Sequence, residues 1–167
     1  MRVPERIALV GFMGSGKTTV GRILAARLGY DFVDTDIAIE SATGMKAAEL
    51  FAKRGEPFFR QREREVLSQL VQGARSVIAT GGGTFADEAC AQVLLSSSWT
   101  VFLECDFEEA YRRATASGGR PLLENGRIAA AALYADRKDK YARAHVMVGA
   151  THRVPEDVAS AVLTAFP

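Results

Sequence analysis

Short apolar runs alternate along the chain with longer segments of helical periodicity. The runs are IALV (7–10), YDFVDTD (30–36), SVIAT (76–80), TVFLEC (100–105) and AHVMVGA (144–150). Each has the length of a strand, and most are rich in the β-branched and aromatic residues that fit a pleated surface. Between them lie stretches such as KTTVGRILAARLG, closed by Gly29, and the alanine-rich RIAAAALYADRKDKY, both of which read as helices. Strand and helix in alternation predict βαβ units, so the expected class is α/β: a three-layer α/β/α arrangement around a parallel five-stranded sheet. In such sheets ligands gather beyond the carboxyl ends of the strands. The distinctive polar residues fall there, after the first, second and third runs.

Two segments interrupt the regular alternation. Residues 37–71 are too many for one crossover helix, and Gly44 and the Gly55-Glu56-Pro57 step divide them into two or three. A small substrate-binding subdomain is expected at about 37–71. The second interruption, TASGGRPLLENG at about 115–126, surrounds Arg120 with Gly, Pro and Asn, the composition of a mobile lid.

The first strand runs straight into GFMGSGKTT (11–19). Gly11, Gly16, Lys17 and Thr18 satisfy G-x-x-x-x-G-K-[ST], with a strand before and a helix after. In that loop backbone N–H groups wrap a phosphate chain, the lysine reaches its outer phosphates and the hydroxyl holds Mg²⁺. The helix N-terminus adds partial positive charge. Gly11, Gly14, Ser15, Gly16, Lys17, Thr18 and Thr19 are therefore the expected nucleotide-binding residues.

Downstream patterns are individually weaker. Asp34 and Asp36 lie two apart at the end of the second run, so on a strand their carboxylates would share one side and need a cation to compensate. Mg²⁺ with Lys17 would serve for Asp34; alternatively the pair caps a helix starting near Ile37. GEPFFRQREREVL carries Arg60, Arg62 and Arg64 among acids, either a solvated face or, beside Phe58 and Phe59, a clamp for a carboxylate. Gly81, Gly82 and Gly83 follow the third run, where a backbone without side chains can touch a ligand. Arg120 precedes Pro121, and an arginine delivered by loop closure can neutralise charge on a transferring phosphoryl group. Arg137 and Tyr141 lie one helical turn apart, by themselves a surface pattern.

Composition narrows the partners. The 167 residues are 48% hydrophobic, which suits one domain spanning 1–167 with a full core. Twenty-one Lys and Arg against twenty Asp and Glu give a formal charge of +1, so no global field points to nucleic acid or to a membrane. Cys90 and Cys105 lack metal-ligand spacing and read as small core residues of a reduced compartment. No apolar stretch is long enough to span a bilayer, and the first apolar segment leads to Gly-Lys-Thr instead of a cleavage site. A cytoplasmic monomer is expected.

Taken in order, GFMGSGKTTVGR, DTD with the following IE, GEPFFR with Glu63, ATGGG, RPLL, and Arg137 with Tyr141 resemble one family, shikimate kinase, over nearly the whole chain. The resemblance implies a nucleoside-monophosphate-kinase-like fold with strand order 2-3-1-4-5, and Mg-ATP-dependent phosphorylation of the 3-hydroxyl of shikimate on the way to aromatic amino acids. It implies that Lys17, Asp36 and Arg120 are catalytic, with Asp36 also holding the shikimate hydroxyls. Arg60 and Arg137 resemble the pair that binds its carboxylate, and Gly82 and Gly83 line the same pocket. Thr18 and Asp34 resemble the Mg²⁺ site, Asp34 acting through water. Arg113, Arg120 and Arg153 resemble nucleotide contacts, Arg113 and Arg153 beside the adenine. One departure is Thr84-Phe85, where the family more often has a small residue and then valine. An altered pocket edge there would leave room for an analogue such as an amino-shikimate. The rival readings are a gluconate or nucleotide kinase of the same fold, and a nucleotide-sensing module without catalysis.

Overall fold

Ile7, Ala8, Leu9 and Val10 have no solvent exposure, because a strand of consecutive apolar residues has to be covered on both faces. The computed structural model, which describes residues 3–118, 123 and 125–167, puts this strand at the centre of a five-stranded sheet. Its elements are β1 (Arg6–Val10), α1 (Lys17–Leu28), β2 (Asp31–Asp34), α2 (Thr35–Thr43), α3 (Ala47–Leu70), β3 (Ser76–Ala79), α4 (Glu88–Ser97), β4 (Trp99–Glu104), α5 (Phe107–Ser117), α6 (Gly126–Tyr141), β5 (Val146–Gly149) and α7 (Pro155–Thr164). A 3₁₀ turn, Thr84–Ala86, joins β3 to α4. All pairings are parallel in the order β2-β3-β1-β4-β5, as expected.

Handedness then assigns the layers. The β1-to-β2 crossover steps one way along the sheet and the later crossovers step the other way, so right-handed connections put α1 on one face and α3, α4 and α6 on the opposite one. The packing agrees: α1 lies against α7, and α4 against α3 and β4. Leu9 pairs with Ala79 and Asp34 with Ala79, while Val10 pairs with Phe102 and Glu104 with Gly149. All five strands thus end along one edge. The chain leaves β1 and its neighbour β3 toward opposite faces, which opens a crevice between the loops that follow them.

The interruption between β2 and β3 folds as helices, broken where glycine predicts. Gly44 closes α2 at φ 69°, and Gly55 bends α3 with φ 80° and ψ 166° just before Pro57. This layer has a small apolar core of its own, Ile39, Leu50, Phe59 and Val66, separate from the main core around the sheet. Leu67, near the end of α3, belongs to the main core and ties the two together. Among the described residues, no helix is long and apolar enough to cross a membrane.

Candidate active site

Glycine in the first loop answers a local demand. Gly14 has φ 82°, and a Cβ there would lie 2.1 Å from the Ala110 carbonyl oxygen, so neither the backbone conformation nor the space admits a side chain. Gly16, at φ 95°, starts α1 from the left-handed region and directs the loop across the helix N-terminus. Lys17 is 8% exposed, and its Nζ donates to the carbonyls of Gly11 and Phe12, each at 2.8 Å. Thr18 Oγ1 donates to Asp34 Oδ2 at 3.0 Å, bringing the two expected metal residues together from α1 and β2. A hydroxyl beside a carboxylate is a hard-oxygen pair of the kind Mg²⁺ accepts while keeping several waters.

The Asp34 and Asp36 pair differs from the expected strand geometry. β2 ends at Asp34, and Asp36 stands in the first turn of α2. Asp34 itself is the cap, its Oδ1 accepting from the Asp36 backbone N–H at 3.0 Å. A cap carboxylate satisfies the orphan donors of a helix start more cheaply than another extended residue would, so the helix begins early and turns Asp36 into the cavity instead of alongside Asp34. Thr35 lies between them, buried, and its Oγ1 accepts from the Gly81 N–H at 2.9 Å, joining this corner to the triple glycine.

A cavity of about 370 Å³ opens in the crevice beside the loop. Asp36, Arg60, Glu63, the triple glycine, Ser117 and Arg137 are in its polar lining; Met13, Phe51 and Phe59 are among its apolar walls. Gly81 and Gly83 stand where a charged side chain of the cavity needs room, and Gly82 lies at ordinary contact distance from another. A Cβ on Gly81 would meet Asp36 Oδ1 at 3.0 Å, one on Gly82 would meet Arg137 Nη1 at 3.7 Å, and one on Gly83 would come within 2.3 Å of Arg60 Nη2. Tyr141 carries the turn from behind: its hydroxyl donates to the Gly82 carbonyl, and burial pushes its pKa up to about 12.

The charge run of α3 divides by helical position. Arg62 pairs with Glu65 at the surface, and Arg64 grips Asp87 at the start of α4. Arg60 alone of the three faces the cavity, over the Phe59 ring and 2.5 Å from Glu63 Oε2. Burial alone would lower its pKa, but the charges and hydrogen bonds of Glu63 and Glu56 outweigh burial and raise it, so Arg60 stays cationic. Arg137 is 6% exposed, and among the described residues its Nη1 has no hydrogen-bond partner. An orphaned guanidinium nitrogen at a cavity wall calls for an anion.

Arg113 and Arg153 lie away from this cavity, on segments that meet at Glu109. Glu109, buried on α5, pairs with Arg113 and accepts from the His152 backbone N–H, next to Arg153. Arg153 turns its guanidinium onto the Gly149 and Asp157 carbonyls, 3.0 Å from each. Arg120 lies outside the described residues. Thr84 and Phe85 do not form a pocket edge: both are buried, and neither lines the cavity. Phe85 joins the main core, and Thr84 turns to Glu63. The residues to which sequence patterns gave no role are Glu63, Tyr141 and Thr35. Glu63 and Tyr141 carried a signal in their one-turn spacing from Arg60 and Arg137, a spacing common on solvated helices, and Thr35 carried none.

Comparison with known proteins agrees with this geometry. The family model described as shikimate kinase matches residues 13–167. The chain belongs to the shikimate kinase family. It is 41% identical to the shikimate kinase of Paramagnetospirillum magneticum over 157 residues, 93% of this chain and 80% of that protein. With the shikimate kinase of Symbiobacterium thermophilum it shares 42% over 164 residues, 94% of this chain and 93% of the other. Its fold is similar to that of shikimate kinase from Acinetobacter baumannii in complex with shikimate, with a TM-score of 0.92, 37% identity, and 97% and 92% of the two chains covered. Like those relatives, the chain is a kinase.

Proposed function

We propose that this chain transfers the γ-phosphoryl group of ATP to the 3-hydroxyl of shikimate, giving shikimate 3-phosphate and ADP, as a cytoplasmic monomer in aromatic amino-acid biosynthesis. One observation supports this above the others: the buried Arg137 Nη1, without a hydrogen-bond partner among the described residues, in a cavity that also holds Arg60 and Asp36 and adjoins the phosphate loop. A ring with a carboxylate at one side and hydroxyls at the other matches those groups. In this reading Arg60 and Arg137 take the carboxylate, the glycine turn admits the ring, and the α2–α3 layer forms the substrate-binding subdomain.

Asp36 orients the 3-hydroxyl and accepts its proton as the oxygen attacks the γ-phosphorus and ADP leaves. Gly11 to Thr19 hold the phosphates, with Lys17 exchanging its loop carbonyls for phosphate oxygens and neutralising charge as it is transferred. Thr18 and Asp34 would hold Mg²⁺, which when bound supplies charge neutralisation on the phosphate oxygens. Arg113 and Arg153 flank the adenine. Arg120 completes the set, on sequence grounds, as an arginine brought to the phosphates by the segment at about 115–126.

A coupled ADP-release assay with shikimate, quinate, gluconate and AMP tests the reading. Turnover is expected with shikimate by a wide margin. Equal or better turnover with gluconate or AMP overturns it.

A further inference from the structure

We infer that Thr84 is a positioning residue for the carboxylate-binding arginine, acting through Glu63; the inference rests on the reading of Arg60 as a substrate contact. Thr84 is fully buried, and its Oγ1 donates to Glu63 Oε1 at 2.5 Å. The other oxygen of Glu63, Oε2, accepts from Arg60 Nη1 at 2.5 Å, and Glu63 is 1% exposed. Thr84, Glu63 and Arg60 thus form one chain of hydrogen bonds that runs from the glycine turn to the cavity wall.

The geometry leaves the carboxylate little freedom. Thr84 begins the 3₁₀ turn after the glycines, where its backbone N–H donates to the Gly81 carbonyl at 3.1 Å. A Cβ on Gly81 would lie 3.1 Å from Thr84 Oγ1 and 3.5 Å from Glu63 Oε1, so both oxygens are packed against the turn. Arg60 is long and flexible and sits on a helix of a separate small core. Among the described residues its hydrogen bonds run to Glu56, at 3.4 Å, and to Glu63, and of these two carboxylates Glu63 is the one bonded to the turn. A carboxylate held at one end alone would swing with the arginine; held at both ends, it fixes the guanidinium relative to Gly82 and Gly83. Hydrogen bonds to charged groups are the stronger class, so the hydroxyl has leverage out of proportion to its size.

The test compares Thr84→Ser with Thr84→Ala, which differ in the hydroxyl alone, using shikimate, shikimate methyl ester and ATP. Thr84→Ala should raise the KM for shikimate about tenfold, the order of a lost bond to a charged group, with kcat within about twofold and the KM for ATP unmoved. Thr84→Ser should restore the shikimate KM, and the ester, which has no carboxylate to place, should respond little to either change. In a double-mutant cycle with Glu63→Gln the effect of Thr84→Ala should shrink to near nothing. Thr84→Val keeps the volume if the alanine variant does not fold; failure of both to fold assigns the hydroxyl to the fold and overturns the inference. So does an unchanged shikimate KM in Thr84→Ala while Arg60→Ala raises it. If Arg60→Ala also leaves the preference for acid over ester intact, the reading of Arg60 itself falls.

Discussion

At the scale of single residues, the triple glycine is where the cavity's charged side chains come nearest the backbone. Its lack of side chains leaves room for charged groups of the cavity, since Cβ atoms on Gly81 and Gly83 would crowd Asp36 and Arg60, and one on Gly82 would touch Arg137. Gly83→Ala should therefore act as a substrate-binding change: its methyl would displace Arg60 Nη2, the mobile end of a long side chain, without breaking the sheet. The KM for shikimate should rise about tenfold while the KM for ATP and the melting temperature stay close to the parent, a cost in line with the loss of a charge-assisted bond. Asp36→Asn keeps the shape of the side chain and removes its basic oxygen. Shikimate turnover should fall by about 10² or more in steady-state assays, the usual yield of general-base help, with ATP affinity nearly unchanged. An unaltered rate would limit Asp36 to holding the hydroxyls.

Among the elements, α4 shows how ion pairs off the site keep it assembled. Asp87 caps α4 by accepting from the Cys90 N–H at 3.0 Å, and it also receives both bonds from Arg64 of α3. The next residue, Glu88, pairs with Arg143 beyond the end of α6. One helix start thus fastens two of the helices that carry Arg60 and Arg137. The hydrogen bond from Arg64 outweighs burial and lowers the Asp87 pKa from 3.8 to about 2. A carboxylate lowered on folding contributes stability above its unfolded pKa, and that contribution is lost as the pH falls toward the folded value. Asp87→Asn keeps a capping oxygen but not the charge. It should be less stable than the parent at pH 7 in urea melts, and the gap should close between about pH 4 and pH 2 as the parent protonates. A gap that persists at pH 2 would assign the loss to packing.

The molecule as a whole is two cores with a cavity at their seam. The phosphate loop belongs to the main core around β1, whereas Phe51, Phe59 and Arg60 belong to the smaller α2–α3 layer. A ligand that bridges the seam should tighten the smaller body more than the larger, because local opening is easiest where few apolar residues are buried. Hydrogen exchange in α2 and the first half of α3 should slow on adding shikimate, while β1, β3 and β4 change little. A nucleotide added alone should protect the loop and the start of α1. Uniform protection of both bodies by either ligand would show that they open as one.

How much of this was legible beforehand differs by kind of residue. The phosphate loop could be read at once, because its task falls on contiguous backbone and on residue types with no cheaper use: three positive-φ glycines and a lysine at a strand-to-helix junction. The parallel sheet was legible for a similar reason, since buried strands and amphipathic helices keep their periods whatever they pack against. The strand order came through family resemblance, and the structure agrees with it. The end of β2 was misplaced, because the competition between extension and helix start at Asp34 turns on one cap bond. In isolation Arg137 reads as a surface charge, and Arg60 as either a solvated charge or a carboxylate clamp. Only tertiary structure decided that Arg62 and Arg64 face elsewhere and that Tyr141 reaches Gly82 across 59 positions. Local pattern determines what a segment can bury. Which charge is left facing the cavity depends on the segments that close over it, and those are distant in the chain.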